Sequence, residues 1–369
     1  MIKGFKNKFN EHFSKFDVEK KEIFSRIYDV FENKGELVPP KEMTSWIESN
    51  FHSIDNVKKQ EFLRITDKVT YEGAIFNELR TMRPVVGDID TGSIFEAIEN
   101  ARNGPFSHPL TGTPEDTFGR IKGKYCISAS NIAKYDGLHG LVISNSHDPL
   151  LISRKRVRDY LQVAKKWYLK AHKVRPKAIY PLYTWSCLWK AGASVIHGHS
   201  QIVLAEDQAY AKVEQLRYLS LKYQERYKSN YFDDVYKIHK DLGLGFERDG
   251  IRLMVKLTPI KEKEIMILSD AADDKLADVI SDALTTLKEK SGVYSFNISI
   301  VLKPLIKTPE VWDHLPIITR IVDRGRLTEK TADVSAMEFY GQSIIASNPY
   351  DVFNNLKTSM VKGEPAHSS

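Results

Sequence analysis

The chain has 369 residues, 42% hydrophobic and 28% charged, a globular composition that excludes disorder over most of its length. Two cysteines exclude a disulfide framework and an all-cysteine zinc site, and no run reaches the roughly 18 apolar residues of a membrane span. The net charge of +6 suits anionic partners such as phosphates, but the basic residues are dispersed and form no basic–aromatic motif, so no nucleic-acid partner is expected.

The length suggests two domains or one duplicated domain. The first residues carry lysines without an apolar core segment, so no secretory leader and a cytoplasmic location are expected. The first 65 or so residues read as helical. Ile2, Phe5, Phe9, Phe13 and Phe16 recur at steps of three and four, an apolar stripe on one helix face. A helix packed on the body explains the stripe. A membrane-surface helix would also use the flanking lysines, but Glu11, Asp17 and Glu19 oppose it, and no membrane partner is expected. Pro39-Pro40 is expected to end a second helix and start a third.

Strand-like runs follow at 124–130 and 140–144, then an amphipathic helix over 155–173, then strands at 178–187 and 199–204. After a polar helical linker at 207–240 the same order returns. Strands are expected at 251–257 and 264–268, a helix over 270–290 with an acidic start and a basic end, and strands at 296–302 and 317–322. A repeated strand–strand–helix–strand–strand pattern suggests duplication. The expected organisation is a helical extension (1–68), a first half (69–206), a second half (207–361) and a disordered tail (362–369).

The most informative segment is Ala191-Gly192-Ala193-Ser194-Val195-Ile196-His197-Gly198-His199-Ser200-Gln201-Ile202. Gly192, Ala193 and Ser194 let the backbone approach a ligand, and their N–H groups suit a phosphate oxygen. Entering an apolar strand, His197, His199 and Gln201 alternate onto one face. A neutral imidazole is a nucleophile that needs no deprotonation, and a glutamine two positions on can donate to a phosphoryl oxygen as charge builds. Two histidines alone would equally fit a metal pair or a surface pair; the small turn and the whole His-Gly-His-Ser-Gln string favour chemistry.

This string resembles the active-site motif of the galactose-1-phosphate uridylyltransferase branch of the histidine-triad superfamily. That branch also includes ADP-glucose phosphorylases and diadenosine tetraphosphate phosphorylases. Arg80-Thr81-Met82-Arg83-Pro84-Val85-Val86-Gly87 resembles the family's Arg-x-x-Arg-Pro-x-x-Gly, and Gly137-Leu138-His139-Gly140-Leu141-Val142-Ile143 with His147 resembles a second family strand. Met337-Glu338-Phe339 and Asn348-Pro349-Tyr350-Asp351 resemble its hexose-contacting segment. The resemblance covers about residues 71–356. It implies an α+β fold of duplicated histidine-triad modules with antiparallel sheets and flanking helices. It implies nucleotidyl transfer from a nucleotide sugar to a sugar 1-phosphate or phosphate through a nucleotidyl-histidine. A phosphorylase of ADP-glucose or dinucleoside polyphosphates, or a nucleotide binder without turnover, are the alternatives.

By the same resemblance His199 is the nucleophile and Gln201 its catalytic partner. Ser194, Arg80, Arg83, Asn131, Phe106 and Glu338 are substrate-binding candidates, while His197 and His147 are structural. A homodimer is implied as possible. The family often carries a zinc held by Cys-Pro-Phe-Cys and two histidines, but here that stretch reads Gly104-Pro105-Phe106-Ser107. With both thiolates gone, His147 and His197 are leftover ligands, and no tightly bound metal or other cofactor is expected.

Overall fold

The computed structural model describes residues 4–82, 91–329 and 334–361. In chain order the strands are β1 (Tyr28–Glu36), β2 (Lys59–Asp67), β3 (Gly73–Phe76), β4 (Cys126–Ser130), β5 (His139–Ser144), β6 (Ala178–Cys187), β7 (His199–Glu206), β8 (Gly245–Arg248), β9 (Ile251–Val255), β10 (Ile265–Ser269), β11 (Phe296–Val301), β12 (Ile317–Asp323) and β13 (Gln342–Ile345). The helices used below are α1 (Phe5–Phe13), α2 (Val18–Ile27), α3 (Thr44–Phe51), α4 (Ile54–Lys58), α5 (Arg154–Val174), α6 (Ala211–Tyr227), α7 (Tyr231–Asp241), α8 (Asp274–Ser291) and α9 (Pro349–Val361). Among the described residues no helix is long and apolar enough to cross a membrane.

A nine-stranded sheet runs β4-β5-β7-β6-β11-β12-β10-β9-β8, with every pairing antiparallel. Its order carries the duplication. The first half gives β4-β5-β7-β6 with α5 between β5 and β6. The second gives β9-β10-β12-β11 with α8 between β10 and β11. The halves join through β6 and β11, where Thr184 faces Ser299 directly. On the outer sides Thr184 faces Gln201 and Ser299 faces Arg320. One row across the sheet therefore reads Leu141-Gln201-Thr184-Ser299-Arg320-Met266, palindromic in strand identity about its centre. A pseudo-two-fold axis passes between Thr184 and Ser299.

Helices α5 and α8 cover one face of this sheet. On α5, Val157, Tyr160, Val163, Ala164, Trp167, Tyr168 and Ala171 are buried, the stripe expected of a helix laid on a sheet. A Cβ on Gly140 would come within 2.8 Å of the Trp167 ring, so even positions of β5 face α5 and odd positions face away. Helix α8 begins where the Asp273 side chain accepts the Leu276 N–H, and it ends at Gly292 with φ of 64°, as helix caps favour. Arg158 pairs with Asp278 and Arg154 with Asp282, binding α5 to α8.

The N-terminal region corrects the all-helical expectation. Helices α1 and α2 form, and Phe5, Phe9 and Phe16 are buried as the stripe predicts. Residues 28–36 and 59–67, however, are strands β1 and β2, paired antiparallel along their whole length. They extend through β3 into a four-stranded sheet closed by the parallel strand β13. Strand β1 is mostly exposed and polar on both sides, so its alternation is weak in the sequence, and its pairing comes from β2 across about 30 residues. Pro39-Pro40 therefore follows a strand and precedes a short turn and α3, rather than separating two helices.

Candidate active site

The crossover from β6 to β7 is held under strain. Leu188 is fully buried with φ of 64°, a conformation that costs a non-glycine residue about 1–3 kcal/mol. Gly192, with φ of 85°, turns the chain toward β7. The second half clamps this turn. Asn297 Nδ2 donates to Ser186 Oγ (2.8 Å) and to the Ala191 carbonyl (3.0 Å), and Ser295 Oγ donates to the Cys187 carbonyl (2.8 Å). Asn297 carries no motif of its own, and only the β6–β11 pairing brings it here.

The turn delivers His199 to the start of β7, opposite Ile143, on the face away from α5. Its Nδ1 lies 2.8 Å from the His197 carbonyl. A carbonyl only accepts, so Nδ1 carries the hydrogen and Nε2 keeps its lone pair. The Phe106 ring stands edge-on with its centre 5.0 Å from the imidazole. Burial lowers the His199 pKa, against a smaller raising effect of the bond to the carbonyl. The ring is thus neutral at neutral pH.

Gln201 lies two positions on, on the same face. Its Oε1 lies 2.8 Å from His139 Nε2 and also accepts the Tyr135 hydroxyl. Asn131 Nδ2 is 3.2 Å from the same His139 nitrogen, and Asn131 Oδ1 accepts the Ala133 N–H. Asn131 thus lies against the His139 ring, and it makes no hydrogen bond to Nε2 when that nitrogen carries the ring hydrogen. Tyr135 was not singled out in the sequence, since one tyrosine in a polar loop carries no spacing signal.

His197 is buried behind the site. Its Nε2 is 2.8 Å from the Ser144 carbonyl, and its Nδ1 is 3.3 Å from Nδ1 of His147. His147 Nε2 faces the Ile98 carbonyl. The Nδ1 separation equals the about 3.3 Å that two imidazoles span around a tetrahedral zinc. Yet no third His, Cys, Asp or Glu joins them among the described residues. Ser107, in place of a thiolate, donates its hydroxyl to the Arg102 carbonyl. Two imidazoles do not make a structural zinc site, so the residues present do not fit the metal.

The other expected residues are spread more widely. Ser194 is exposed in the turn before β7. Arg80 is exposed on the 3-10 turn Glu78–Met82, and Arg83 lies outside the described residues. Glu338 lies on the 3-10 turn Ala336–Tyr340. Its carboxylate accepts the Ser335 N–H (3.0 Å) as half of a capping box and pairs with Lys261 (2.8 Å). That carboxylate has a structural use, which a sequence motif does not reveal.

No protein-family model matches the chain, and no curated protein sequence does. Solved structures do. An ADP-glucose phosphorylase from Arabidopsis thaliana with bound ADP-glucose superposes with a TM-score of 0.61 at 17% identity, over 78% of this chain and 96% of that one. A GalT-like protein from Arabidopsis thaliana gives 0.59 at 17% identity, over 80% and 98% of the two chains. A uridylyltransferase gives 0.55 at 16% identity, over 68% and 89%. At such identities the likeness is one of fold, and it agrees with the internal two-fold of the large sheet. The chain shares the fold of these solved structures, the ADP-glucose phosphorylase, the GalT-like protein and the uridylyltransferase.

Proposed function

We propose that the protein transfers a nucleoside monophosphate group from a nucleotide sugar to a sugar 1-phosphate or to phosphate, through a covalent intermediate on His199. The observation that carries this reading is the 2.8 Å contact of His199 Nδ1 with the His197 main-chain carbonyl, which puts the ring hydrogen on Nδ1 and leaves the lone pair on Nε2. In the first step the Nε2 lone pair attacks the α-phosphorus. An N–P bond forms, and the bond from phosphorus to the bridging oxygen breaks, so the sugar phosphate leaves with that electron pair. The His197 carbonyl steadies the positive charge that the ring then carries. In the second step an oxygen of the acceptor phosphate attacks phosphorus, and the N–P electrons return to Nε2.

Gln201 donates to the α-phosphate as its charge grows, Ser194 and the small turn hold a phosphate oxygen, and Arg80 and Arg83 meet the remaining charge. Phe106, edge-on to His199, packs beside the base and keeps water from the ring. The likeness to a phosphorylase of ADP-glucose favours phosphate as one acceptor, with a nucleoside diphosphate as product.

The test uses ADP-glucose and UDP-glucose labelled at the α-phosphorus. Label should become protein-bound and acid-labile, His199→Ala should abolish it, and added phosphate should discharge it. No labelling by either donor or by a dinucleoside polyphosphate, with a ligand-induced rise in melting temperature retained, would leave a nucleotide binder without turnover.

A further inference from the structure

We infer that His139 and Tyr135 are positioning residues that fix which end of the Gln201 amide meets the reacting phosphate; this rests on the nucleotidyl-transfer reading. Gln201 serves that reaction only if its NH2 end points to the phosphate, because its oxygen would repel it. Glutamine alone does not choose, since both ends are nearly the same size.

The choice follows from a chain of bonds. The backbone N–H of Tyr135 donates to His139 Nδ1 (3.2 Å). A neutral imidazole that accepts at Nδ1 carries its hydrogen on Nε2. His139 Nε2–H then points at Gln201 Oε1, 2.8 Å away. With the imidazole N–H aimed at it, that end of the amide must be the oxygen, for a flipped amide would set N–H against N–H and leave the imidazole donor unmet; the Tyr135 hydroxyl, which can turn, then donates to the same oxygen. The NH2 end is left for the face of the sheet that carries His199.

The surroundings hold this arrangement. His139 is fully buried, and burial lowers its pKa, so it stays neutral. The Tyr135 ring lies over the imidazole with centres 3.9 Å apart. Lys134 Nζ, 2.6 Å from Ser130 Oγ and 2.9 Å from the His139 carbonyl, and Tyr210, bonded to Asp136 Oδ2 at 2.6 Å, pin the loop that carries Tyr135. The orientation is therefore set before any ligand arrives, which is what electrostatic stabilisation of a transition state requires.

Two measurements test this. Tyr135 is 67% exposed, so Tyr135→Phe should fold normally. It should slow single-turnover labelling by about tenfold with nucleotide affinity unchanged. In a Gln201→Leu background the same change should cost nothing further, because Tyr135 acts through Gln201. An undiminished rate for Tyr135→Phe, or an equal drop in both backgrounds, overturns the inference. Independently of any activity, nitrogen-15 NMR of the full chain should show His139 with a bare Nδ1 and a protonated Nε2 that shifts in Gln201→Leu. His139 protonated on Nδ1 overturns it as well. If no donor labels the wild type but the NMR result holds, the amide lock stands and the nucleotidyl-transfer reading fails.

Discussion

Gln201 and Arg320 occupy the same position in the two halves of the large sheet, each flanked on one side by the central pair Thr184–Ser299 and on the other by Leu141 or Met266. Their neighbours have diverged. In the first half the position beside Gln201 holds His139, whose Nε2 lies 2.8 Å from Gln201 Oε1. In the second half the corresponding neighbour is Glu264, which Arg320 Nε meets at 2.5 Å. Arg320 also pairs with Glu72 at 2.8 Å, so the equivalent of the site has become an ionic anchor for the segment between β2 and β3. Although burial pushes the Glu72 carboxyl up, Arg320 and Lys256 beside it hold its pKa at about 2.

Arg320→Met should therefore leave Glu72 and Glu264 buried without their main partner. Removing one member of a buried ion network costs about 3–5 kcal/mol. Urea unfolding followed by circular dichroism measures it. A loss below about 1 kcal/mol would show that the cluster does not anchor the N-terminal segment.

The rate of nucleotidyl attachment should resist mild acid. The nucleophile must be neutral, and burial places the His199 pKa below its ordinary value of about 6.5. The reactive form persists above the folded pKa and is lost as pH falls through it. Single-turnover labelling from pH 8 to pH 5 should thus show its acid limb below 6.5. A limb centred above 6.5 would mean that His199 is not the group that must be unprotonated.

How much of this could be seen in the residues alone depends on where each signal lies. His197, His199 and Gln201 sit within five residues, and strand alternation placed all three on one face; the register of β7 agrees for His199 and Gln201, whereas His197 precedes the strand and is buried against the Ser144 carbonyl. The duplication was visible because each half repeats apolar strands around one long amphipathic helix. Strands β1 and β2 were not, because β1 is mostly polar on both faces and β2 shows its alternation only over Leu63, Ile65 and Asp67, too short a run to stand out from the helical stretch before it. Asn297 and Tyr135 reach the site through pairings and a loop course that no local pattern encodes. Glu338, expected at the substrate from a motif match, has its carboxylate engaged in a capping box with Ser335 and a pair with Lys261, bonds that no motif encodes.

His239 sets a second pH dependence, this time of stability. It is fully buried, its Nδ1 donates to the Val235 carbonyl (2.8 Å), and its Nε2 accepts the Leu257 N–H (3.1 Å). Both nitrogens are satisfied only in the neutral ring. Burial first, and the charge of Lys256 next, push its pKa down to about 3. Below the unfolded value of about 6.5 the unfolded chain takes up a proton that the folded one refuses, so stability falls with pH by up to about 1.4 kcal/mol per unit until the folded value is reached. His239→Gln, which cannot titrate, should reduce the slope of unfolding free energy between pH 6 and pH 4 by about that amount. An unchanged slope would show that His239 is protonated in the folded state.

Chelation should leave the protein unaffected. His147 donates from Nε2 to the Ile98 carbonyl and His197 from Nε2 to the Ser144 carbonyl, so each ring is fixed to the main chain by its own hydrogen bond while the two Nδ1 lone pairs face each other without one. A metal would add a constraint only with two more donors, and Ser107 is already turned to the Arg102 carbonyl. Dialysis against a strong chelator should therefore leave the melting temperature unchanged, and elemental analysis should find well under one zinc per chain. His147→Ala, by contrast, should lower stability by about 1–3 kcal/mol, the cost of leaving buried partners unmet. A chelator-induced fall in melting temperature that zinc reverses would mean that the two imidazoles recruit further donors in solution, and the hydrogen-bonded account of this corner would fail.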